Sequence, residues 1–294
     1  MKDGLTILSF GAGQDSTAIL YSVIYSPEFR RKHVKGTFHV IFSDTGDEHP
    51  ETYDHLAEVQ QLCLDHKIGF TWIEPEMGYH SNSWNSLRDH YRKYNVVMMV
   101  SGRKSCTDQL KIRPIYKFIN ESISEWNGVD PFRKKALIDY AETYGKVRVL
   151  LGIAKGEEKR VQKSGGKEPK WQQRSVTKHY PLIEEGWDRQ ACQEVISSYG
   201  HEVPLPSNCM LCPFMSGQEL LWLYRTYPGD FWEWVDLEKN KVIANLGREK
   251  NHGALGEAYL EDQLAKANEK YGHMSTEELN EYKMSHGHCV MSKY

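Results

Sequence analysis

Short apolar runs alternate with longer segments whose apolar residues recur at helical spacing. The run 5–8 predicts a buried strand, and 16–25 after it predicts a helix. A second strand is predicted over 38–42, and a helix with one apolar face is predicted over 51–65. Strand and helix therefore alternate from the start of the chain. This order favours a parallel sheet with right-handed crossovers.

The same pattern continues to about residue 200. Strands are predicted over 70–73 and 147–151, and the run 117–144 is helical with a break at Asn127-Gly128. A further helix is predicted over 188–199, whereas 78–95 has no clear period. The fold class that follows is α/β, a doubly wound and mostly parallel sheet.

Pro204 and Pro206 mark a change in pattern. We expect 1–204 to form an α/β domain and 205–294 to form a helical C-terminal region packed on it, with helices over 255–271 and 276–284. The segment 220–234 is rich in aromatic residues. These are expected to form core rather than a surface on which nucleic-acid bases stack.

Composition narrows the class of protein. The 294 residues carry a net charge of −3, so no overall basic field indicates nucleic acid. No run approaches the roughly 18 apolar residues of a membrane span, and no membrane partner is expected. The N-terminus enters a strand at once, which predicts no signal peptide and a cytoplasmic protein. The six cysteines are then expected to be thiols or ligands rather than disulfides.

The segment Ser9-Phe-Gly-Ala-Gly-Gln-Asp-Ser16 joins the first strand to the first helix. A strand, a glycine turn and a helix N-terminus form an anion site, and Gly11 and Gly13 let a phosphate approach the backbone. Asp15 or Ser16 is expected near the helix cap. A Walker A loop would end in Gly-Lys-Ser/Thr, and a dinucleotide fingerprint needs a third glycine where Ser16 stands. An ordinary strand–helix turn is the alternative.

Asp44 follows the second strand, within the segment 43–52. Ligands bind beyond the carboxyl ends of parallel strands, so we expect Asp44 near the glycine loop. There it would contact a nucleotide directly or through Mg²⁺. Its alternative role is to form a turn or cap the next helix.

Cys106 stands among three cations, Arg103, Lys111 and Arg113. Such cations would lower the pKa of the thiol or balance the charge of a thiolate-bound cluster. A solvated basic face is the alternative. A second basic segment, 155–178, holds eight Lys or Arg and three Glu. Its glycines and Pro169 argue against regular structure, and it would close over a polyphosphate, hold a nucleic-acid backbone, or simply be solvated.

Cys209 and Cys212 form a C-x-x-C pair, which places two sulfurs on one turn. Such a pair suits zinc or an iron–sulfur cluster, a redox couple, or two buried thiols. Cys289 is the candidate for another ligand or a reactive thiol. His286 and His288 are weaker candidates. Cys63 and Cys192 fall on apolar helix faces and should be bystanders.

These motifs resemble those of a known superfamily. The glycine segment resembles the PP-loop, S-x-G-G-x-D-S, with one extra residue. Phe42-Ser-Asp-Thr-Gly46 followed by Pro50-Glu-Thr52 resembles phosphoadenylyl-sulfate reductases, as does Cys106 followed by Leu110-Lys111 and Pro114, although one cysteine of the usual pair is Ser105 here. The turn at Gly152 is also similar, with Lys155 where an arginine is usual. The chain is identified as resembling the PP-loop ATP pyrophosphatase (adenine nucleotide alpha hydrolase-like) superfamily, in the branch of these reductases and of DNA phosphorothioation sulfurtransferases.

The resemblance implies an enzyme that uses ATP and Mg²⁺ to adenylate a nucleic-acid oxygen for sulfur insertion. DNA phosphorothioation is preferred over tRNA thiolation. The alternatives are a reductase acting on phosphoadenylyl or adenylyl sulfate, and a nucleotide-sensing binding protein. Implied partners are a sulfur donor such as a cysteine desulfurase and nucleic acid at 155–178. A [4Fe-4S] cluster is preferred over zinc.

It also implies roles for individual residues. The expected nucleotide-binding residues come from three segments: Ser9, Phe10, Gly11, Ala12, Gly13, Gln14, Asp15, Ser16, Asp44 and Gly152. The expected catalytic residues carry charge: Asp15, Lys111, Arg113 and Arg160. The expected metal ligands are thiols: Cys106, Cys209, Cys212 and Cys289.

Overall fold

The centre of the fold is a five-stranded parallel sheet. A computed structural model describes residues 1–100, 105–161, 168–249 and 251–286. The strands lie in the order β3-β2-β1-β4-β5, and every neighbouring pair is parallel. Their bounds are β1 Leu5–Phe10, β2 Thr37–Ser43, β3 Gly69–Ile73, β4 Val147–Leu151 and β5 Val176–His179. The predicted doubly wound α/β class is confirmed.

Helices connect the strands and form most of the remainder. Those within the sheet region are α1 Gln14–Tyr25, α2 Pro27–His33, α3 Pro50–Asp65, α4 Leu87–Tyr94, α5 Arg113–Asn127, α6 Lys135–Tyr144, α7 Lys170–Ser175, α8 Pro181–Glu185 and α9 Arg189–Ser198. Those that follow are α10 Gly217–Thr226, α11 Pro228–Ala244, α12 Leu260–Tyr271 and α13 Thr276–His286. In the described chain, no helix combines the length and apolar character needed to cross a membrane.

Alternation along β1 divides the core between the two faces of the sheet. Leu8 and Phe10 pack with α1, α3 and α9, whereas Leu5 and Ile7 pack with α5 and α6. Side chains of successive strand residues point to opposite faces, so both faces of a strand covered by helices must be apolar. This explains why β1 reads as a continuous apolar run.

A third core cluster holds the C-terminal helices together. Trp222, Phe231 and Trp234 are buried in it, as expected for the aromatic segment, while Trp232 is 44% exposed. The cluster also takes Tyr91 and other side chains from 84–110. The boundary after Pro204 stays a prediction.

The structure differs from the sequence prediction in three places. The basic segment 155–178, predicted to be irregular, contains α7 and the start of β5. Only Val176 of β5 is fully buried, so this edge strand carries little apolar signal. The unassigned stretch 78–95 contains α4, which begins at a Ser86 cap. Helix α12 begins at Leu260 rather than at residue 255.

The strand order places the chain's reversal point beside β1. The chain moves from β1 to β2 and β3 on one side, then returns to β4 on the other. Crevices form at such switch points because the loops after the two strands diverge. The glycine loop after β1 and Gly152 after β4 therefore meet at the carboxyl end of the sheet.

Candidate functional site

The glycine loop is organised by Ser16. The Ser16 hydroxyl accepts a hydrogen bond from the Gly11 N–H at 3.2 Å and donates to the Gly13 carbonyl at 3.1 Å. Helix α1 begins at Gln14, and its cap is Gly13, which has no side chain to offer. Asp15 and Ser16 lie near this cap, as expected, and Ser16 closes the loop from within the first turn.

Two glycines are required by close approach. A Cβ on Gly13 would lie 2.6 Å from Ser207 Cβ and 2.7 Å from Ser207 N. A Cβ on Gly152 would lie 3.0 Å from the Ser16 backbone nitrogen. Gly13 thus fits the segment before the C-x-x-C pair against the loop, and Gly152 fits β4 against the start of α1.

One cavity joins the glycine loop to three cysteines. Its volume is about 100 Å³. Its walls include loop residues, three thiols and two cations: Ser9, Gly11, Gly13, Gln14, Asp15, Ser16, Gly152, Cys106, Cys209, Cys212, Lys111 and Arg160. Phosphate-binding backbone and sulfur thus face the same space.

Asp15 is a buried carboxyl group at this cavity. Its Oδ1 has no hydrogen-bond partner within the described part of the chain. Burial raises the pKa of Asp15 to about 6, while Arg189 opposes the rise and Glu157 adds to it. Arg160 and Arg189 both pair with Glu157, so this corner has two guanidinium groups and two carboxyl groups. A ligand that offers Asp15 a hydrogen-bond donor or a cation would stabilise the charged form of this carboxyl group.

Asp47 holds the C-x-x-C loop against the segment after β2. The Asp47 carboxylate accepts from the Leu211 N–H at 2.9 Å, and its carbonyl accepts from the Met210 N–H at 2.8 Å. Arg88 Nε lies 2.6 Å from Asp47 Oδ1. Burial raises the pKa of Asp47 to about 7, with Arg88 opposing the rise. The residues between the two cysteines are therefore fixed by a side chain some 160 positions earlier.

Cys209 lies beside a second ion pair. Lys111 Nζ is 3.1 Å from Glu48 Oε1, and the Thr45 hydroxyl donates to that oxygen at 3.0 Å. Thr45 Oγ1 is also 3.5 Å from Cys209 Sγ. Burial raises the pKa of Cys209 well above its ordinary value, and Glu48 raises it further while Lys111 lowers it. Burial therefore outweighs the nearby cation at this thiol.

The donor chemistry fits a metal cluster only in part. Cys106, Cys209 and Cys212 line one cavity, as a shared cluster requires. Within the described ranges, however, no three Cys, His, Asp or Glu side chains lie at metal-binding spacing. Cys289 and Arg103 lie outside the described residues.

Other predicted site residues are placed elsewhere. Phe10 and Ala12 have buried side chains in the core, so the loop contributes them through its backbone. Asp44 is not among the residues that line the cavity in the described chain. Its carboxylate accepts from Gly46 N at 2.7 Å and from the Tyr53 hydroxyl at 3.0 Å. It forms a turn rather than capping α3, whose cap is His49.

Arg113 faces away from the first cavity. It lines a second, larger cavity and pairs with Asp108 at 2.7 Å. Cys63 and Cys192 are free thiols on the buried faces of α3 and α9, where burial raises the pKa of each. Their role as bystanders stays a prediction.

Helix α13 ends beside the glycine loop. The Gln14 side-chain amide donates to the carbonyl oxygens of Met284 and Pro204, each at 3.1 Å. Gln193 donates to Gln14 Oε1 at 2.9 Å. The C-terminal helix and α9 are thus tied to the first turn of α1.

Four neighbours of the site were not singled out from the sequence: Asp47, Arg189, Ser207 and Asn208. Asp47 lies in the segment 43–52, and Ser207-Asn208 directly precedes Cys209. The only indication of their role in the sequence is that they lie within or next to these motifs. Arg189 had none, because it resembles an ordinary first-turn residue of a helix.

Comparisons with known proteins give little. No protein-family model matches the sequence, and none of the curated proteins matches it. Among solved structures, the U34-tRNA thiolase NcsA from Methanococcus maripaludis with its [4Fe-4S] cluster is similar, at 14% identity and a TM-score of 0.39. The alignment covers 93% of this chain and 74% of that one. At this identity and TM-score, the likeness assigns neither a substrate nor a cofactor to this chain.

Proposed function

We propose that the protein is an ATP pyrophosphatase and sulfurtransferase that adenylates a nucleic-acid oxygen so that sulfur can replace it. DNA phosphorothioation is the leading reaction, and tRNA thiolation is the alternative. The observation that supports this most directly is the single cavity lined by both the glycine loop and three cysteines. A phosphate site alone would fit many nucleotide-binding proteins, and thiols alone would fit a structural metal site.

In the first step, the nucleotide lies over 9–16 with its phosphates on the loop amides and Ser16. The N-terminus of α1 favours negative charge there. The acceptor oxygen attacks the α-phosphorus, the bond to the α–β bridging oxygen breaks, and pyrophosphate leaves with Mg²⁺. Lys111 and Arg160 line the same cavity and would balance the developing charge. The unpartnered oxygen of Asp15 would bind Mg²⁺ or the incoming acceptor. In this proposal Arg113 remains a catalytic residue and Asp44 a nucleotide contact, although within the described residues neither lines the first cavity.

In the second step, a sulfur nucleophile attacks the activated centre, and AMP leaves with the original oxygen. Cys106, Cys209, Cys212 and Cys289 would hold a [4Fe-4S] cluster, which would supply iron and sulfide beside the loop. Cys289 follows Met284, whose carbonyl accepts from Gln14, by five positions in the sequence. The four-thiol set would also accept zinc.

Two partners complete the proposal. A donor protein of the cysteine desulfurase class supplies the sulfur as a persulfide. Two thiols of a reductant, oxidised to a disulfide, reduce this sulfur to the sulfide level at which it attacks. Nucleic acid approaches along the basic segment 155–178, whose Lys178 and Glu168 lie at the second cavity. Residues 1–204 would form the nucleotide-binding domain, with 205–294 carrying the C-x-x-C pair and the helices.

The test is product analysis with α-labelled ATP. Anaerobically purified protein is incubated with Mg²⁺, ATP, sulfide and single-stranded DNA or tRNA. We expect AMP and pyrophosphate in equal amounts, dependent on the nucleic acid, together with sulfur in the polymer. Ser16→Ala should abolish turnover, while Ser83→Ala, at an exposed loop, should not. In a parallel incubation with adenylyl sulfate and a dithiol reductant, release of AMP and sulfite, with no turnover of ATP in the first assay, would support the reductase instead. Nucleotide binding without any turnover would support the binding protein.

A further inference from the structure

A second cavity of about 810 Å³ opens beside the glycine loop. It shares Ser9 and Leu151 with the first cavity, so the two spaces meet across the ends of β1 and β4. Its remaining walls come mainly from α5 and the residues just before it, from α7, and from the segment after β3, with Lys134 and Lys178 added from the chain before α6 and from β5. The volume lies in the range of cavities that hold small organic ligands.

Aromatic side chains form one wall. The rings of Tyr116 and Trp171 lie edge to face, with centroids 5.3 Å apart. Lys134 Nζ lies 5.7 Å from the Trp171 ring and donates to the Tyr116 carbonyl at 3.0 Å. Trp171 is half-buried, so part of its indole remains open to the cavity. An indole held in this way offers a flat surface on which a planar ring can stack.

Positive charge exceeds negative charge around this space. The lining residues include four cations, Arg113, Lys117, Lys134 and Lys178, against Asp108 and Glu168. Both carboxylates are already paired, at 2.7 Å with Arg113 and at 2.6 Å with Lys178. Among the described residues, Lys117 and Lys134 form no salt bridge and donate instead to backbone carbonyls. Lys117 and Lys134 can therefore balance the negative charge of a ligand.

The same wall carries polar and charged groups beside the rings. The buried Gln172 side chain donates from Nε2 to the Tyr116 hydroxyl at 3.1 Å. Burial lowers the pKa of Lys134 to about 8, against the opposing effect of Glu121. A partly desolvated ammonium gains more from a phosphate than one in open water does.

We propose that this second cavity binds one base of the single-stranded acceptor nucleic acid, stacked against Trp171, with its flanking phosphate on Lys117 and Lys134. The inference rests on the proposed function and names the subsite for its acceptor. Because Ser9 and Leu151 belong to both cavities, a nucleotide held here lies beside the glycine loop. Base–aromatic stacking tolerates any base, so the subsite provides affinity rather than sequence choice.

The test measures binding of fluorescent single-stranded DNA and RNA oligonucleotides to the full chain at fixed salt. Trp171→Leu and, separately, Lys134→Gln should each weaken binding about tenfold, and Trp171→Phe should restore most of the affinity. Trp232→Leu and Lys93→Gln are matched controls, because Trp232 is an exposed indole and Lys93 lies 5.5 Å from the Tyr94 ring outside this cavity. Thermal melting of each variant checks that it folds.

ATP affinity of the same preparations, measured by calorimetry without oligonucleotide, separates the possible occupants. Loss of ATP affinity in the Trp171 and Lys134 variants would assign the cavity to the adenosine of ATP and overturn the inference, while leaving the ATP chemistry standing. Unchanged oligonucleotide affinity in both variants would also overturn it. The ratio between the DNA and RNA affinities shows which polymer the subsite serves. Failure of the wild type to release pyrophosphate from ATP would count against the proposed function. The oligonucleotide affinities of the variants would still test whether the second cavity binds a base.

Discussion

The Asp47 carboxylate accepts a hydrogen bond from the Leu211 backbone N–H at 2.9 Å, in the middle of the C-x-x-C pair. The same carboxylate pairs with Arg88, which also contacts Asp230 at 2.7 Å and Glu233 at 2.7 Å. Asp47 follows β2 closely, so its contacts fix the C-x-x-C loop relative to the carboxyl end of the sheet. A loop with one buried anchor of this kind should depend strongly on it.

Replacing Asp47 with Ala should lower the free energy of unfolding by about 3 kcal/mol, because it leaves the Leu211 N–H unpaired and breaks a buried ion pair. It should also reduce the metal content of the protein. Asp230→Ala is the matched control, because it removes another carboxylate from Arg88 and leaves the loop untouched. Its side chain is 32% exposed, so a loss below about 1 kcal/mol is expected. Chemical denaturation and metal analysis measure both effects, and equal losses in the two variants would show that Asp47 acts only through Arg88.

Gly13→Ala should disturb both the nucleotide site and the thiols. The new Cβ would lie 2.6 Å from Ser207 Cβ, so either the loop or the segment before Cys209 must shift. Overpacking of this kind costs about 1–3 kcal/mol. Gly229→Ala, in the first turn of α11, meets open space and should have little effect. Calorimetric titration with ATP and thermal melting test the pair, and unchanged ATP affinity in folded Gly13→Ala would argue against phosphate binding at this loop.

Asp15→Asn should stabilise the protein above pH 7 while it weakens ATP turnover. The folded-state pKa of about 6 lies above the ordinary value of 3.8, so the folded state binds more protons between these values. Stability therefore falls as pH rises through this window, by up to about 3 kcal/mol, and an amide avoids that loss. Below pH 3.8 the carboxyl group is protonated in both states, and the advantage of the variant should disappear.

Denaturation curves at several pH values measure this dependence. Asp236→Asn is the control, since Asp236 is exposed on α11, and a small change in stability is expected. A stability difference for Asp15→Asn that does not vary between pH 4 and pH 8 would contradict the assigned burial of the charge.

The cysteines should separate into two groups when iron and labile sulfide are measured per chain. Ser substitutions at Cys106, Cys209, Cys212 and Cys289 should each lower both contents. Cys63→Ala and Cys192→Ala should keep them, because these thiols lie in the core between helices and sheet. Iron loss on changing Cys63 or Cys192, with retention in Cys289→Ser, would identify a different ligand set. Zinc without sulfide in the wild type would indicate a structural metal.

The sequence predicts those strands whose side chains are buried on both faces of the sheet. In β1 and β2 both faces are covered, so the apolar runs were unmistakable. The edge strand β5 has one buried residue in four and follows a basic segment, so local pattern carried no strand signal. Its position depends on pairing with β4, a contact that only the tertiary structure supplies.

The site was predictable in outline because two kinds of motif, glycine turns and cysteine spacing, carry their chemistry in the sequence. The cavity brings together three segments, around Gly13, Cys106 and Cys209, each of which carries a motif visible in the sequence. What escaped were the residues that hold these motifs together. In the sequence, Asp47 is one of several acidic residues in a loop. Its role comes from a hydrogen bond to the backbone N–H of Leu211, which only the folded structure brings near it.

The hydrogen bond from Gln14 to the Met284 carbonyl joins residues 270 positions apart. During synthesis, the whole sheet and the glycine loop leave the ribosome well before α13 does. Contacts of such sequence separation form late, because closing a long loop costs entropy before any contact rewards it. The first turn of α1 therefore gains this partner only after α13 has left the ribosome. A chain in synthesis would carry an assembled sheet while the glycine loop still lacked this support.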